Sequence, residues 1–195
     1  MRHLIIYAHP HPQSLNGRLT QKLALHLSKN GHDIKVRDLY RLDFNPVLSL
    51  QDMEGQRAGK VADDVRKEQE FIQWADCITI IHPIWWTGLP AIIKGYIDRV
   101  FSYGFAYRYD QGIQKGLLTE KAAVIINTHG KSQAEYEAIG MDRALSLTSD
   151  TGIYAYCGLT VKRHFFLDKA DRATDTRLEH WIKQINEVYD TVFIA

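Results

Sequence analysis

The chain predicts a doubly wound α/β fold, a five-stranded parallel sheet in the order 2-1-3-4-5 with helices on both faces. Three observations predict it: five apolar runs of strand length, helical patterns between successive runs, and no antiparallel hairpin signal joining any two of them. Short runs rich in Ile and Val read as strands buried on both faces. Strands that alternate with helices cross over right-handedly and assemble a parallel sheet.

The five runs are His3–Ala8, Asp33–Leu39, Cys77–His82, Ala122–Asn127 and Leu159–Phe165. After the first comes a helix over Asn16–Lys29, with Leu19, Leu23, Ala24 and Leu27 on one stripe and Gly31 as its stop. A helix over Asp63–Trp74 carries Val65, Phe71 and Ile72 inward. Pro90 opens the next, where its missing N–H does no harm, and Ile92, Ile93, Tyr96, Ile97, Val100 and Phe101 repeat at helical spacing. Across Arg143–Cys157 the helical pattern is interrupted at Gly152. Asp175–Tyr189 closes the chain with Leu178, Trp181, Ile182, Ile185 and Val188 on one face. Tyr40–Gly59 and Phe105–Glu120 read as long stretches without regular structure, which reach over a neighbour or a site. With no repeat, low-complexity tract or linker, residues 1–195 read as one domain.

Composition narrows the function classes. A formal charge of +1 on 195 residues gives no broad field to attract nucleic acid or a membrane surface. The two cysteines, Cys77 and Cys157, lie in apolar runs without metal or redox spacing and read as buried thiols of a reducing compartment. No apolar run approaches membrane-spanning length and no leader pattern is present, so the expected location is cytoplasmic, without membrane insertion.

In a doubly wound sheet the ligand sits beyond the carboxyl ends of the strands, where the strand order reverses. That rule selects three loops: His9–Asn16, Pro83–Leu89 and Thr128–Tyr136. The first leads into a helix, whose free N–H groups and dipole favour a phosphate. It holds His9, Gln13, Ser14 and Asn16, but no G-x-G-x-x-G and no P-loop, which argues against a Rossmann dinucleotide site and a nucleoside triphosphatase. Ser14 or Asn16 could equally be a plain helix cap. His9 and His11 lack a carboxylate or thiolate at ligand spacing, so no metal is expected. The second loop sets Trp85 and Trp86 at the sheet mouth, either as packing or as a flat wall for a planar ligand, with Gly88 permitting close backbone approach. In the third, Gly130 lets a backbone N–H face a ring and Tyr136 offers a proton or hydrogen bond to developing charge, unless it is an ordinary packing tyrosine.

These residues also resemble a known family. Pro83–Tyr109, P-I-W-W-T-G-L-P-A-I-I-K-G-Y-I-D-R-V-F-S-Y-G-F-A-Y-R-Y, is similar to the NAD(P)H:quinone oxidoreductases of the DT-diaphorase type, which have a flavodoxin-like fold. The likeness continues in D-L-Y and F-N-P within Asp38–Pro46, in Gly130–Tyr136 and in Tyr156-Cys157-Gly158. It implies a bound flavin, FAD with FMN as the alternative, and ping-pong transfer of two electrons as hydride from NAD(P)H to a quinone. It also implies a homodimer with shared sites. By matching position, His9, Ser14, Leu15 and Asn16 would hold the phosphate and ribityl region. Pro83, Ile84, Trp85 and Trp86 would line the ring, with Thr128, Gly130 and Lys131 opposite and Tyr136 assisting charge relay. Tyr107, Tyr109 and Tyr156 would cap the substrate pocket from the partner subunit.

Two positions depart from the family pattern. Asp142 stands where the relay histidine falls, six residues after the tyrosine, so Tyr136 acts alone or His129 substitutes. Lys131 replaces a second glycine. The segment near Lys169–Leu178, which would meet adenine, matches poorly, and this keeps FMN in play. The resemblance also extends to ancillary flavoproteins that regulate a membrane transporter, a second class of function. A flavin-free hydrolase would need a G-x-S-x-G or a nucleophile–base pair, and neither is present.

Overall fold

The central strands of the main sheet are apolar on both faces, so helices must cover both. The computed structural model describes residues 1–192. Its strands are β1 Arg2–Tyr7, β2 Asp33–Asp38, β3 Cys77–Pro83, β4 Tyr107–Asp110, β5 Ile113–Gly116, β6 Ala122–Thr128 and β7 Thr160–Leu167. The α-helices are α1 Leu15–Lys29, α2 Leu50–Arg57, α3 Asp63–Trp74, α4 Ala91–Val100, α5 Gln133–Ile139, α6 Met141–Ser146 and α7 Asp175–Val192. The sheet order is β2-β1-β3-β6-β7, all parallel, which is the 2-1-3-4-5 arrangement predicted. None of the described helices is long and apolar enough to cross a membrane.

Side chains alternate across the three central strands β1, β3 and β6, so each of them feeds two cores. Leu4, Ile6, Ile78, Ile80, Ala123 and Ile125 face α3 and α4, where they meet Ile72, Ile93, Tyr96 and Val100. Ile5, Ile81, Val124 and Ile126 face α1 and α7, against Leu19, Leu23, Leu27, Leu178, Trp181 and Ile185. Each such side chain, once fully buried, contributes about 1.5–3 kcal/mol. Cys77 and Cys157 are buried free thiols.

Four local readings are corrected. Tyr40–Gly59 contains α2, a mostly exposed helix with no apolar stripe for a periodicity argument to detect. Its start was nonetheless marked, since Ser49 and Asp52 form a reciprocal capping box. What holds α2 down is Arg99 of α4, buried, with its guanidinium on Asp52 at 3.1 Å, Asp64 at 2.6 Å and the Asn45 carbonyl at 2.9 Å. Phe105–Glu120 contains the antiparallel hairpin β4–β5, turned by Gln111 and Gly112, both at positive φ. A Gln-Gly pair does the work that Asn-Gly normally signals. The third ligand loop ends early, because α5 starts at Gln133 under its own Ser132–Glu135 capping box. Gly152 interrupts nothing: α6 runs on into a π-helical stretch, Leu147–Ala155.

Gly95 lies where α4 meets the extended segment before α2. A Cβ there would stand 2.0 Å from the Pro46 carbonyl oxygen. Alanine normally favours a helix over glycine by about 1 kcal/mol. Here the clash with backbone outweighs it, and Gly95→Ala is expected to destabilise by about 1–3 kcal/mol in urea unfolding. Unchanged or raised stability would show that the segment yields freely.

Two histidines inside the sheet set a pH limit. Burial lowers both His3 and His82 to about 4, against about 6.5 in an unfolded chain. Both are neutral when folded, so below about pH 6.5 the unfolded state binds protons that the folded state refuses. Their contribution is therefore complete above that pH and is lost as pH falls toward 4. Urea midpoints should drop steadily from about pH 7 to about pH 4.5; a flat profile would contradict these burials.

Candidate active site

Where β3 and β6 end side by side, their last paired residues are Pro83 and Thr128. Beyond them the chains part and the three ligand loops meet. The Ile84 N–H donates to the Thr128 carbonyl at 2.8 Å, joining the second loop to the third. The buried Asn16 side chain pairs with the Thr128 hydroxyl at 2.9 and 3.2 Å, joining the first to the third. His9 lies edge-on to Trp85 with ring centroids 5.9 Å apart, joining the first to the second. Asn16 and Thr128 thus spend their side chains on one another and work as a staple beneath the site.

In the first loop Ser14 caps α1, accepting from the Gly17 N–H at 3.1 Å and lying 3.3 Å from the Tyr7 hydroxyl. The cap reading is the one observed, and among the described residues nothing accepts from the amides of Leu15 and Asn16. Those N–H groups and the helix dipole remain for an anion. His9 and His11 use their Nδ1 atoms to accept from the backbone N–H groups of His11 and Gln13, at 3.0 and 3.1 Å. Among the described residues no group of three or more His, Cys, Asp or Glu gathers as metal ligands.

The second loop is a strained two-residue turn. Trp85 and Gly88 exchange hydrogen bonds of 3.2 and 3.1 Å, and the residues between them, Trp86 and Thr87, have φ of 50° and 53°. Such a turn favours Asn-Gly; a bulky residue in the left-handed region costs about 1–2 kcal/mol. The strain displays an indole, with Trp86 100% exposed and Trp85 41% exposed. Strain that a protein retains in order to hold an aromatic ring in water points to a ligand or partner for that ring.

In the third loop His129 and Tyr136 stack face to face, centroids 4.3 Å apart and 7° from parallel. Both are buried, and Tyr136 packs on Ile84 and Leu145. Burial raises the Tyr136 phenol, with Lys131 opposing, and keeps it protonated at neutral pH. Burial also lowers His129, only partly offset by Asp168 and the Lys131 backbone, and neither of its ring nitrogens has a well-formed hydrogen bond. Asp142 has a buried carboxylate oxygen without a partner. Lys131 is exposed and reaches Glu135 at 3.2 Å. A Cβ at Gly88 or Gly130 would make ordinary van der Waals contacts, nearest at 3.8 and 3.7 Å, so neither glycine is required by crowding. At the strand ends the loops thus bring together an exposed indole, a stacked imidazole–phenol pair and two helix-start amides, groups suited to a flat, largely apolar ligand with an anionic tail.

Tyr107, Tyr109 and Tyr156 gather elsewhere. The Tyr109 and Tyr156 hydroxyls are 3.0 Å apart, and Tyr107 packs edge-on to Tyr156 at 5.2 Å. Tyr107 and Tyr156 border a depression of about 600 Å³ with Leu48, Met53, Ile97 and Phe101, and no residue of the three loops lines it.

Sequence reasoning missed the polar set beneath the Pro83 wall: His82, Asn127, His164 and Asp150, hydrogen-bonded in series. The available signal was three polar residues at or near the ends of three predicted strands. Their pairing depends on strand order, which no local pattern contains.

Comparison with known proteins agrees with this geometry. The family model described as flavodoxin-like fold matches residues 1–188. The uncharacterized NAD(P)H oxidoreductase of Haemophilus influenzae is 39% identical over 160 residues, covering 82% of this chain and 79% of that protein. NAD(P)H dehydrogenase [quinone] 1 of Rattus norvegicus is 28% identical, covering 97% and 78%. Among solved structures, the NAD(P)H:quinone oxidoreductase of Methanothermobacter marburgensis superimposes with a TM-score of 0.88 at 27% identity, covering 98% of both chains. With its sheet order, its converging strand-end loops and these relatives, the chain is an oxidoreductase and belongs to the flavodoxin-like family of NAD(P)H:quinone oxidoreductases.

Proposed function

We propose that this protein is a flavin-dependent NAD(P)H:quinone oxidoreductase that works in ping-pong order as a homodimer. The observation that carries the proposal is that the ends of β3 and β6 set the strained turn with its exposed Trp86 and the loop with the stacked His129–Tyr136 pair side by side. When bound there, the isoalloxazine supplies the two-electron carrier between a nicotinamide donor and a quinone.

The chain's own residues would act as follows. The amides of Leu15 and Asn16, with His9, would hold the phosphate, and Ser14 shapes the helix start that presents them. Pro83, Ile84, Trp85 and Trp86 would wall the ring, with Thr128, Gly130 and Lys131 across from them. Tyr136, kept protonated by burial, would present its hydroxyl to charge that develops at the ring edge. His129, stacked on it, would hold its orientation. FAD is the expected flavin and FMN the alternative, because the 169–178 segment carries no adenine-binding pattern. An absorption spectrum, followed by chromatography of the released cofactor, decides between them and tests the class.

The homodimer reading rests on the second face. Leu42, Val47, Leu48, Leu50, Met53, Tyr103 and Ile113 are exposed apolar residues, and Leu48, Met53 and Tyr103 border the tyrosine-lined depression. A partner seated there would bury them and would bring Tyr107, Tyr109 and Tyr156 over its own ring. Steady-state turnover with a soluble quinone separates this reading from a purely ancillary role, which would give almost none.

Replacing Tyr136 with Phe should slow NAD(P)H-to-quinone turnover about 100-fold while the flavin stays bound; wild-type rates would remove Tyr136 from the chemistry. Trp86→Gly relieves a positive-φ strain in the flavin-free protein, so its unfolding midpoint should hold or rise. Its flavin occupancy should fall because the ring loses a wall. Full occupancy in that variant would show that the exposed indole serves something else.

A further inference from the structure

We infer that His82, Asn127, His164 and Asp150 form a positioning relay for the ring-facing wall, held in one arrangement by a single proton shared between His164 and Asp150. For its functional half this inference rests on the flavin reading above.

The hydrogen-bond directions admit one self-consistent assignment. His82 is fully enclosed at the end of β3 and is neutral, so it carries one N–H. Its Nδ1 lies 2.9 Å from the Pro83 carbonyl oxygen, which only accepts, so the proton is on Nδ1. Nε2 is then an acceptor, and the Asn127 side-chain Nδ2 donates to it from 3.1 Å. That orientation aims Asn127 Oδ1 at His164 Nε2, 2.8 Å away, so His164 must donate there. Reversing the amide would set two acceptors against each other at His82. The remaining His164 nitrogen, Nδ1, stands 2.9 Å from Asp150 Oδ1. Two acceptors do not sit that close without a proton between them. Whether it rests nearer the imidazole or the carboxylate, the bond contains it.

The relay joins β3, β6, β7 and the π-helical stretch, four segments brought together only by the crossovers. Its last link is the Pro83 carbonyl, while the N–H of the same peptide group is fixed by the Thr128 carbonyl at 2.8 Å. The peptide that starts the ring wall is therefore pinned on both sides. A cavity of about 310 Å³ lies directly against the relay, bounded by His82, Ile84, Gly88, Asn127, Leu145 and Ser149. Without the His82–Pro83 link, Ile84 and the Trp85–Gly88 turn have room to sag into it. Ser149 Oγ lies between Asp150 Oδ1 at 2.8 Å and the Leu145 carbonyl at 2.9 Å, which steadies the far end.

The test uses the full-length protein with ¹⁵N-labelled histidine. Wild type should show a strongly downfield proton resonance in the His164–Asp150 bond and a single N–H, on Nδ1, for His82. In Asp150→Asn the downfield resonance should vanish. Asn127→Asp keeps an acceptor for His164 but loses the donor to His82, so its flavin dissociation constant should rise about tenfold, as in Asn127→Leu. Absence of the wild-type resonance, its survival in Asp150→Asn, or wild-type flavin affinity in folded Asn127→Asp would each overturn the relay. A wild-type protein that shows the resonance but binds neither FMN nor FAD would overturn the flavin reading and leave the proton assignment standing.

Discussion

The hydrogen bond from the Ile84 N–H to the Thr128 carbonyl, where β3 and β6 stop pairing, is the constraint on which the site depends. Seven residue pairs hold these strands in parallel register up to that point. Past it the two chains turn apart, one into the tryptophan turn and one toward the His129–Tyr136 stack. A gap opens between them because parallel strands that diverge at their carboxyl ends leave a crevice no connecting loop needs to fill. Asn127 and Thr128 then work in opposite directions from adjacent positions of β6. Thr128 reaches the first turn of α1 through Asn16, while Asn127 reaches His82 and His164 on the other side of the sheet.

Several departures from local rules gather in the three loops and the helices beside them. Trp86 and Thr87 occupy backbone conformations suited to asparagine and glycine, and an indole stands in water. His129 is buried without well-formed hydrogen bonds, and Asp142 hides an unpaired oxygen. Departures from local rules that gather beside one another in this way mark a candidate functional site. The Arg99 clamp is the contrasting case: a buried charge whose partners, Asp52, Asp64 and the Asn45 carbonyl, satisfy it well. It anchors an otherwise weakly packed helix near the tyrosine face.

The two groups of candidate residues are separated in space within one chain. The strand-end loops carry Trp86 and the His129–Tyr136 stack, and the tyrosine cluster lies beside exposed apolar residues.

Much of this was legible in the sequence. The Ile- and Val-rich runs fixed the five strands within a residue or two, and the strand–helix alternation fixed a parallel sheet, because crossover handedness leaves few alternatives. The strand-end rule then selected His9–Asn16, Pro83–Leu89 and Thr128–Tyr136, and these loops do converge. What escaped was either local but without apolar periodicity, as in α2 and the Gln111–Gly112 hairpin, or non-local. No pattern along the chain reveals that Asn16 is occupied by Thr128, that His129 stacks on Tyr136, or that His82, Asn127, His164 and Asp150 form one series. Local sequence determines which backbone each segment prefers, since propensity and periodicity act over a few residues. Which side chains meet was decided by the tertiary structure, because strand residues 38 to 45 positions apart become neighbours only when the sheet closes.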